Sequence, residues 1–346
     1  MLRVLCVIAL ATVAARAQEA TLKVGSDAPP LTIAKWVKGD AVHLEKGRIH
    51  VVAFWTAGDV RSTACLPRLS ELQDEYKDKA TFVAVASDGD TLEAVEAMTK
   101  EMGPAMGYAV AFDDGAKTKA AWLAAAGVKG VTCAFVVDSN GKIAFFGHPF
   151  LIDFPLGRLA AGKWDAAKGP EEMQAAFRRA EAVVQMDRSV ALASLAAFEK
   201  EYPELAWTRA VSGRGLMSLP TTKFRLLLLA GKSEEARTLG NALVERGVKF
   251  NDPFILNLVS WLIVDPEMEL AERDLDLAMT AAEKAVELTK GEEGAILDTL
   301  ARVYYWKGDL TKAIEIQTKA VEKDAGDETL QGALDEYKEK AAAKKE

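Results

Sequence analysis

The chain has 346 residues, half of them hydrophobic, which is enough for two domains that each bury a sizeable core. Its formal net charge of -8 argues against nucleic acid or anionic lipid as a partner, because an acidic surface repels phosphate. The three histidines, His43, His50 and His148, have no ligand spacing with one another or with the cysteines, so neither metal nor cofactor is expected.

Residues 1–17 open with Met1-Leu2-Arg3, continue as an apolar run from Val4 to Ala14 and close with Ala15-Arg16-Ala17. A charged start, a short apolar core and small residues at the end predict a secretory signal peptide cleaved before Gln18, and hence a periplasmic or secreted protein. The run is too short to span a bilayer, so no membrane insertion is expected after cleavage. Losing Arg3 and Arg16 takes the formal charge to about -10, more acidic still. Cys65 and Cys133 remain, and in an oxidising compartment they permit one disulfide without requiring it.

Residues 18–165 alternate between strand and helix. Ile49 to Trp55, Thr81 to Ala86, Ala109 to Phe112, Ala134 to Val137 and Ile143 to Phe146 are short apolar runs rich in Val, Phe and Ile. Between them lie helical stretches from Leu66 to Tyr76, Leu92 to Met102 and Lys117 to Ala125. Such alternation predicts a central mixed sheet flanked by helices. The turn Asp138-Ser139-Asn140-Gly141 predicts a closing hairpin, so an antiparallel edge follows a partly parallel sheet.

The strand Val51 to Trp55 runs into Thr56-Ala57-Gly58-Asp59-Val60-Arg61-Ser62, where Asp59 is placed to cap a helix and Ser62 is its third residue. Cys65 shares a helical stripe with Leu69, Leu72 and Tyr76, which predicts a core thiol with a raised pKa. Cys133 shares a strand face with Phe135 and Val137. Residues 166–346 show no strand pattern and read as helices only, with a boundary near Gly169-Pro170. Helices from Glu171 to Tyr202 and from Phe224 to Arg246 come first, and Gly231 followed by Ala236 has a helix-turn-helix spacing. A unit from Pro253 to Leu288 follows with Ala278, Ala282 and Ala285 on one face and extra residues around Asp265-Pro266, and a helix from Glu328 closes the chain. Trp207, Trp261, Tyr304, Tyr305 and Trp306 are candidate aromatic anchors for a partner, with at least half of them expected in the core instead.

Together the lead-in Val24 to Pro30, the strand ending Phe54-Trp55, the helix with Pro67 and the segment Gly130 to Ile143 resemble the TlpA-like thioredoxins of bacterial envelopes, a branch of the redoxin (AhpC-TSA-like) families. That resemblance implies a thioredoxin-like fold. It places the family's two cysteines on Asp59 and Ser62, its preceding Trp on Gly58, its cis-proline on Thr132 and its buried proton-transfer group on Ala53. A non-proline cis bond costs roughly 2.5 to 4 kcal/mol, so the Thr132 peptide is expected to be trans and its loop reshaped. Residues 294–327 resemble a tetratricopeptide repeat through Leu297, Leu300, Ala301, Tyr304, Gly308, Ala313 and Ala320, with Gln317 in place of the usual aromatic and Ala325 of the usual proline.

The resemblances imply a redoxin with a degenerate site, fused to repeats that bind a protein or peptide on their own. The competing expectation is a thiol-disulfide oxidoreductase or peroxidase using Cys65, with or without Cys133. In a third, the thioredoxin-like part only docks the repeats.

Overall fold

The computed structural model describes residues 20–344 apart from 87, 88, 114, 210, 213, 214 and 217. The expected signal segment lies outside the described residues. Six strands, β1 (Lys35–Lys38), β2 (Ile49–Trp55), β3 (Ala80–Ala86), β4 (Ala109–Phe112), β5 (Cys133–Val137) and β6 (Ile143–Gly147), form one sheet in the order β1-β4-β3-β2-β5-β6. β2, β3 and β4 run parallel, while β1, β5 and β6 add antiparallel pairs at the two sides. All seven residues of β2 are buried, as a strand covered on both faces requires. The β5–β6 turn is fixed by Asp138, whose Oδ1 accepts from the Asn140 and Lys142 amides at 2.8 and 2.9 Å.

Each strand expected from the apolar runs is found with ends shifted by no more than a residue, and β1 is additional. Its sequence, Lys-Trp-Val-Lys, is too short and too charged to show a period, and its edge position suits lysines that discourage further pairing.

A short helix α1 (Val60–Thr63) and α2 (Leu66–Glu75) follow β2. They do not merge, because Pro67 offers no amide to residue 63 and its ring crowds that carbonyl. With α3 (Leu92–Met102) they lie on the sheet face that carries Val51, Ala53 and Trp55. On the other face α4 (Lys117–Lys119) runs on into a π-helical turn at 120–124, whose Trp122 and Leu123 pack with Phe54, Cys133 and Phe135.

After α5 (Asp153–Ala160) the chain is predominantly helical: α6 (Gly169–Val184), α7 (Arg188–Glu201), α8 (Leu219–Leu229), α9 (Ser233–Lys249), α10 (Pro253–Val264), α11 (Leu275–Leu288), α12 (Gly294–Lys307), α13 (Leu310–Lys323) and α14 (Glu328–Ala343). The first long helical stretch is broken at 185–187, while the turn expected from the Gly231–Ala236 spacing is found at Gly231, where φ is +66°. A two-residue hairpin, β7 (Val211–Ser212) with β8 (Gly215–Leu216), stands where helices alone were expected. From α10 to α14 each helix packs on the next. Gln317, in the place of an aromatic, is buried and donates to Asp298 Oδ1 at 2.8 Å and to the Leu330 carbonyl at 3.0 Å.

The apolar core does not stop at residue 165. One cluster runs from the α2 face of the sheet through Phe154 and Leu156 into Met173, Ala176, Leu195, Phe198 and Leu219, so α6, α7 and α8 share the core of the sheet. A second cluster, between Phe224 and Val303, belongs to the later helices.

Between these parts lies a buried charge cluster on α2. Glu71, 2 % exposed, receives Arg68 at 2.7 Å, Arg209 at 2.9 Å and Arg246 at 2.8 Å. Arg68 also holds Asp153 and Arg209 holds Asp252, while the half-buried Arg246 lies 4.2 Å over Trp207, so each guanidinium has a second carboxylate or a ring. Burial alone would raise the Glu71 pKa, but Arg68, then Arg209 and Arg246, pull it down to about 2. Because the folded pKa is depressed, the stability Glu71 contributes is present above the usual carboxylate value and lost as pH falls toward about 2. Glu71→Gln, which leaves three cations short of a carboxylate, is expected to cost roughly 3–5 kcal/mol at neutral pH in urea unfolding, with the difference from wild type shrinking below about pH 4.5. A change under about 1 kcal/mol, or one that does not shrink in acid, would contradict this assignment.

Candidate functional site

The C-terminal end of β2 and the start of α1 are where the family resemblance puts a reactive site. Asp59 caps α1: its Oδ1 accepts from the Arg61 amide at 2.9 Å, and its Oδ2 pairs with the Arg61 guanidinium at 3.0 Å. Those Arg61 contacts hold the Asp59 carboxyl below the usual range. Ser62 is buried and its hydroxyl accepts from the Thr56 amide at 3.1 Å, tying the end of β2 to the third residue of α1. Asp90, just before the Thr91 cap of α3, accepts from Thr56 Oγ1 at 2.8 Å and from the Ala57 amide at 3.0 Å. The turn is thus closed by hydrogen bonds among its own residues and Asp90.

Thr132 faces this region from the residue before β5. Among the described residues there is no cis peptide bond, and the Thr132 amide donates to the Phe54 carbonyl at 3.1 Å. Its φ is +77°, a left-handed conformation that a β-branched residue rarely adopts, so the loop is reshaped as well as trans. Ala53, the position of the family's proton-transfer group, is an alanine buried inside the sheet core.

Cys65 is 1 % exposed at the N-cap of α2, with Sγ 3.6 Å from the Arg61 carbonyl, and burial pushes its pKa up to about 12. Cys133 is equally enclosed, and burial pushes it up to about 12 too. Both thiols are free, and they cannot pair: Cys133 packs on the Trp122 side of the sheet, whereas Cys65 caps the helix on the opposite side. The optional disulfide of the sequence reading is therefore absent. A protonated thiol is a poor nucleophile. Neither Cys65 nor Cys133 of the native protein should react with Ellman's reagent at pH 8 over minutes, about four pH units below both values, and both should react in guanidinium. Titration of one thiol in the native state would refute this.

The histidines are dispersed: His50 is buried in β2 with its pKa lowered by burial, and His148 accepts from the Phe150 amide through Nδ1 at 3.3 Å. Among the described residues, no three His, Cys, Asp or Glu side chains are grouped to hold a metal ion, and no helix is long and apolar enough to cross a membrane.

The aromatic candidates of the helical part are largely engaged inside the fold. Trp207 lies under Arg246, Trp261 packs against the second core, Tyr304 lies beneath Lys312, and Tyr305 stacks on Tyr337 at 4.7 Å. Trp306 is partly exposed, yet Arg273 lies 4.3 Å over its ring and its Nε1 donates to the Val264 carbonyl at 2.8 Å. The Asp90 clamp, the Glu71 cluster and the Arg273–Trp306 stack were not anticipated from sequence. Arg68 and Glu71, charges set among Leu66, Leu69 and Leu72, were the available signal for the second of these.

Comparison with known proteins agrees with the fold. A family described as thioredoxin-like matches residues 47–143, which span the sheet from β2 to the start of β6. Protein FixW of Rhizobium leguminosarum is 29% identical over 159 residues, covering 42% of this chain and 70% of that protein. Among solved structures, the thioredoxin domain of a thiol-disulfide oxidoreductase from Bacteroides vulgatus is 27% identical, with a TM-score of 0.31 over 35% of this chain and 86% of that one. A thiol-disulfide isomerase from Corynebacterium glutamicum is 18% identical, with a TM-score of 0.33 over 39% of this chain and 97% of that one. The chain thus has a thioredoxin-like α/β domain, followed by a large helical region, and its structural neighbours include thiol-disulfide oxidoreductases.

Proposed function

We propose that this is a TlpA-like protein of the periplasm or the extracellular space that no longer exchanges disulfides and acts as a protein-interaction module, its later helices forming tetratricopeptide-like pairs. The observation that carries this reading is the closed turn at 56–62, where Asp59 and Ser62 occupy the helix start and spend their oxygens on the chain's own amides. Disulfide exchange needs an accessible thiolate, and the described residues offer two buried thiols with pKa values near 12 instead. The same burial argues against a peroxidase that uses Cys65. The charged start and apolar core of residues 1–17 support export. The shared core and the Glu71 cluster make the whole mature chain, rather than residues 166–346 alone, the unit that presents an interaction surface.

Insulin reduction in the presence of a thiol donor should stay at background, with Cys65→Ser identical to wild type; turnover that disappears in Cys65→Ser would overturn the proposal. Asp59→Cys with Ser62→Cys should restore a disulfide at the helix start, read by thiol counting. Adding Thr132→Pro should lower stability by more than about 1 kcal/mol, because proline requires φ near -65° where the chain holds +77° and removes the amide bonded to Phe54.

A further inference from the structure

The repeat-like unit from Pro253 departs from its pattern by the extra residues between α10 and α11, and these residues build a cleft. The segment 265–274 is held by Arg273, which donates to the Ile263 carbonyl and, at 2.7 Å, to the Met268 carbonyl, while its guanidinium covers Trp306. Trp306 in turn bonds the Val264 carbonyl at the end of α10. One side chain therefore fastens both ends of the insertion, and a long connection that is clamped rather than loose is the kind that carries a function.

The clamped segment forms one wall of a cleft of about 400 Å³ against α8, the start of α9, the start of α11 and the end of α12. That volume is in the range of preformed ligand clefts. Phe224, Leu228 and Leu277 supply its apolar floor, and four carboxylates and three cations line its rim. The cations are engaged: Arg237 with Asp274 at 2.8 Å, Lys307 with Asp276 at 2.7 Å, and Arg273 with the carbonyls it clamps. The rim carboxylates outside these ion pairs are exposed, Glu234 at the first turn of α9 and Glu272, which accepts only from the Ser233 hydroxyl at 3.4 Å. The charge the cleft presents outward is negative, over an apolar floor.

Resting on the reading of this chain as an interaction module, we propose that this cleft binds a cationic segment of a partner protein, an apolar side chain on the floor with a neighbouring lysine or arginine against Glu234 and Glu272. A rim of this kind sets specificity and association rate by charge complementarity.

The test uses the full mature chain and three fluorescein-labelled octapeptides with identical leucines and with lysine, serine or glutamate at the remaining variable positions, titrated by fluorescence anisotropy. The lysine peptide should bind at least about tenfold more tightly than the glutamate peptide and weaken as salt rises. Glu234→Lys with Glu272→Lys should abolish that preference. Glu171→Lys with Glu172→Lys, the same charge change on the exposed start of α6, should leave it intact. Equal affinities, no binding by any peptide, or equal loss in both double variants would overturn the proposal. A cellular partner that co-purifies equally with wild type and Glu234→Lys/Glu272→Lys would remove the cleft from the account while leaving the interaction reading in place.

Discussion

One carboxylate, Glu71, accepts three guanidiniums, and the arrangement of the whole chain follows from that. Arg68 comes from the same helix, while Arg209 and Arg246 come from the helical region more than a hundred residues away in sequence. Burying charge is costly unless each group is paired, so α2 cannot take its place on the sheet with Glu71 satisfied unless the later helices are also in place. Lys249 with Asp74, and Asn251 with the Met102 carbonyl, extend the contact along the exposed side of α2 and to the end of α3. The helix that in a redox-active relative of this fold would lead away from the reactive cysteine is here the seat for the helical region.

This bears on the site. A catalytic turn has to present its nucleophile and admit a substrate, whereas the turn at 56–62 is closed by Ser62, Asp59 and Asp90, and α2 behind it is held by buried ion pairs. Where the family resemblance places a thiol, the Ser62 hydroxyl is a structural acceptor for the Thr56 amide. Thr132 tells the same story from the other side: without proline the loop adopts a left-handed residue and closes on Phe54 through an amide that proline would lack.

The sheet was legible because its strands are apolar runs bounded by polar turns, and burial on both faces leaves a mark that composition cannot hide. β1 was not legible, since Lys35 and Lys38 break the apolar signal that an edge strand hardly needs. In the helical part the break near 186 was hidden by continuous periodicity, whereas the turn at Gly231 was legible from the Gly231–Ala236 spacing, and the paired strands Val211–Ser212 and Gly215–Leu216 are too short to produce a pattern. Asp59 and Ser62 could be read directly from the sequence, but the Ser62 bond to the Thr56 amide and the Asp90 bonds to Thr56 and Ala57 depend on the fold to bring these groups together. The ion cluster was half visible: Arg68 and Glu71 stand among the leucines of α2, but Arg209 and Arg246 look like ordinary surface cations until they are placed against that helix. Among the aromatic residues, the structure shows which are packed within the fold: Trp207 lies under Arg246, Tyr305 on Tyr337 and Trp306 under Arg273.

The central claim is that the thioredoxin-like sheet and the helical region form one cooperative unit locked through α2. Native-state hydrogen exchange by mass spectrometry at increasing denaturant tests it most directly, by following peptides from β2 to β5 and from α9 to α12 in the same sample. The expected result is that the slowest amides of both regions merge into a single opening transition with one free energy and one denaturant dependence. Two separate transitions, with the helical region opening while the sheet and α2 stay protected, would contradict it.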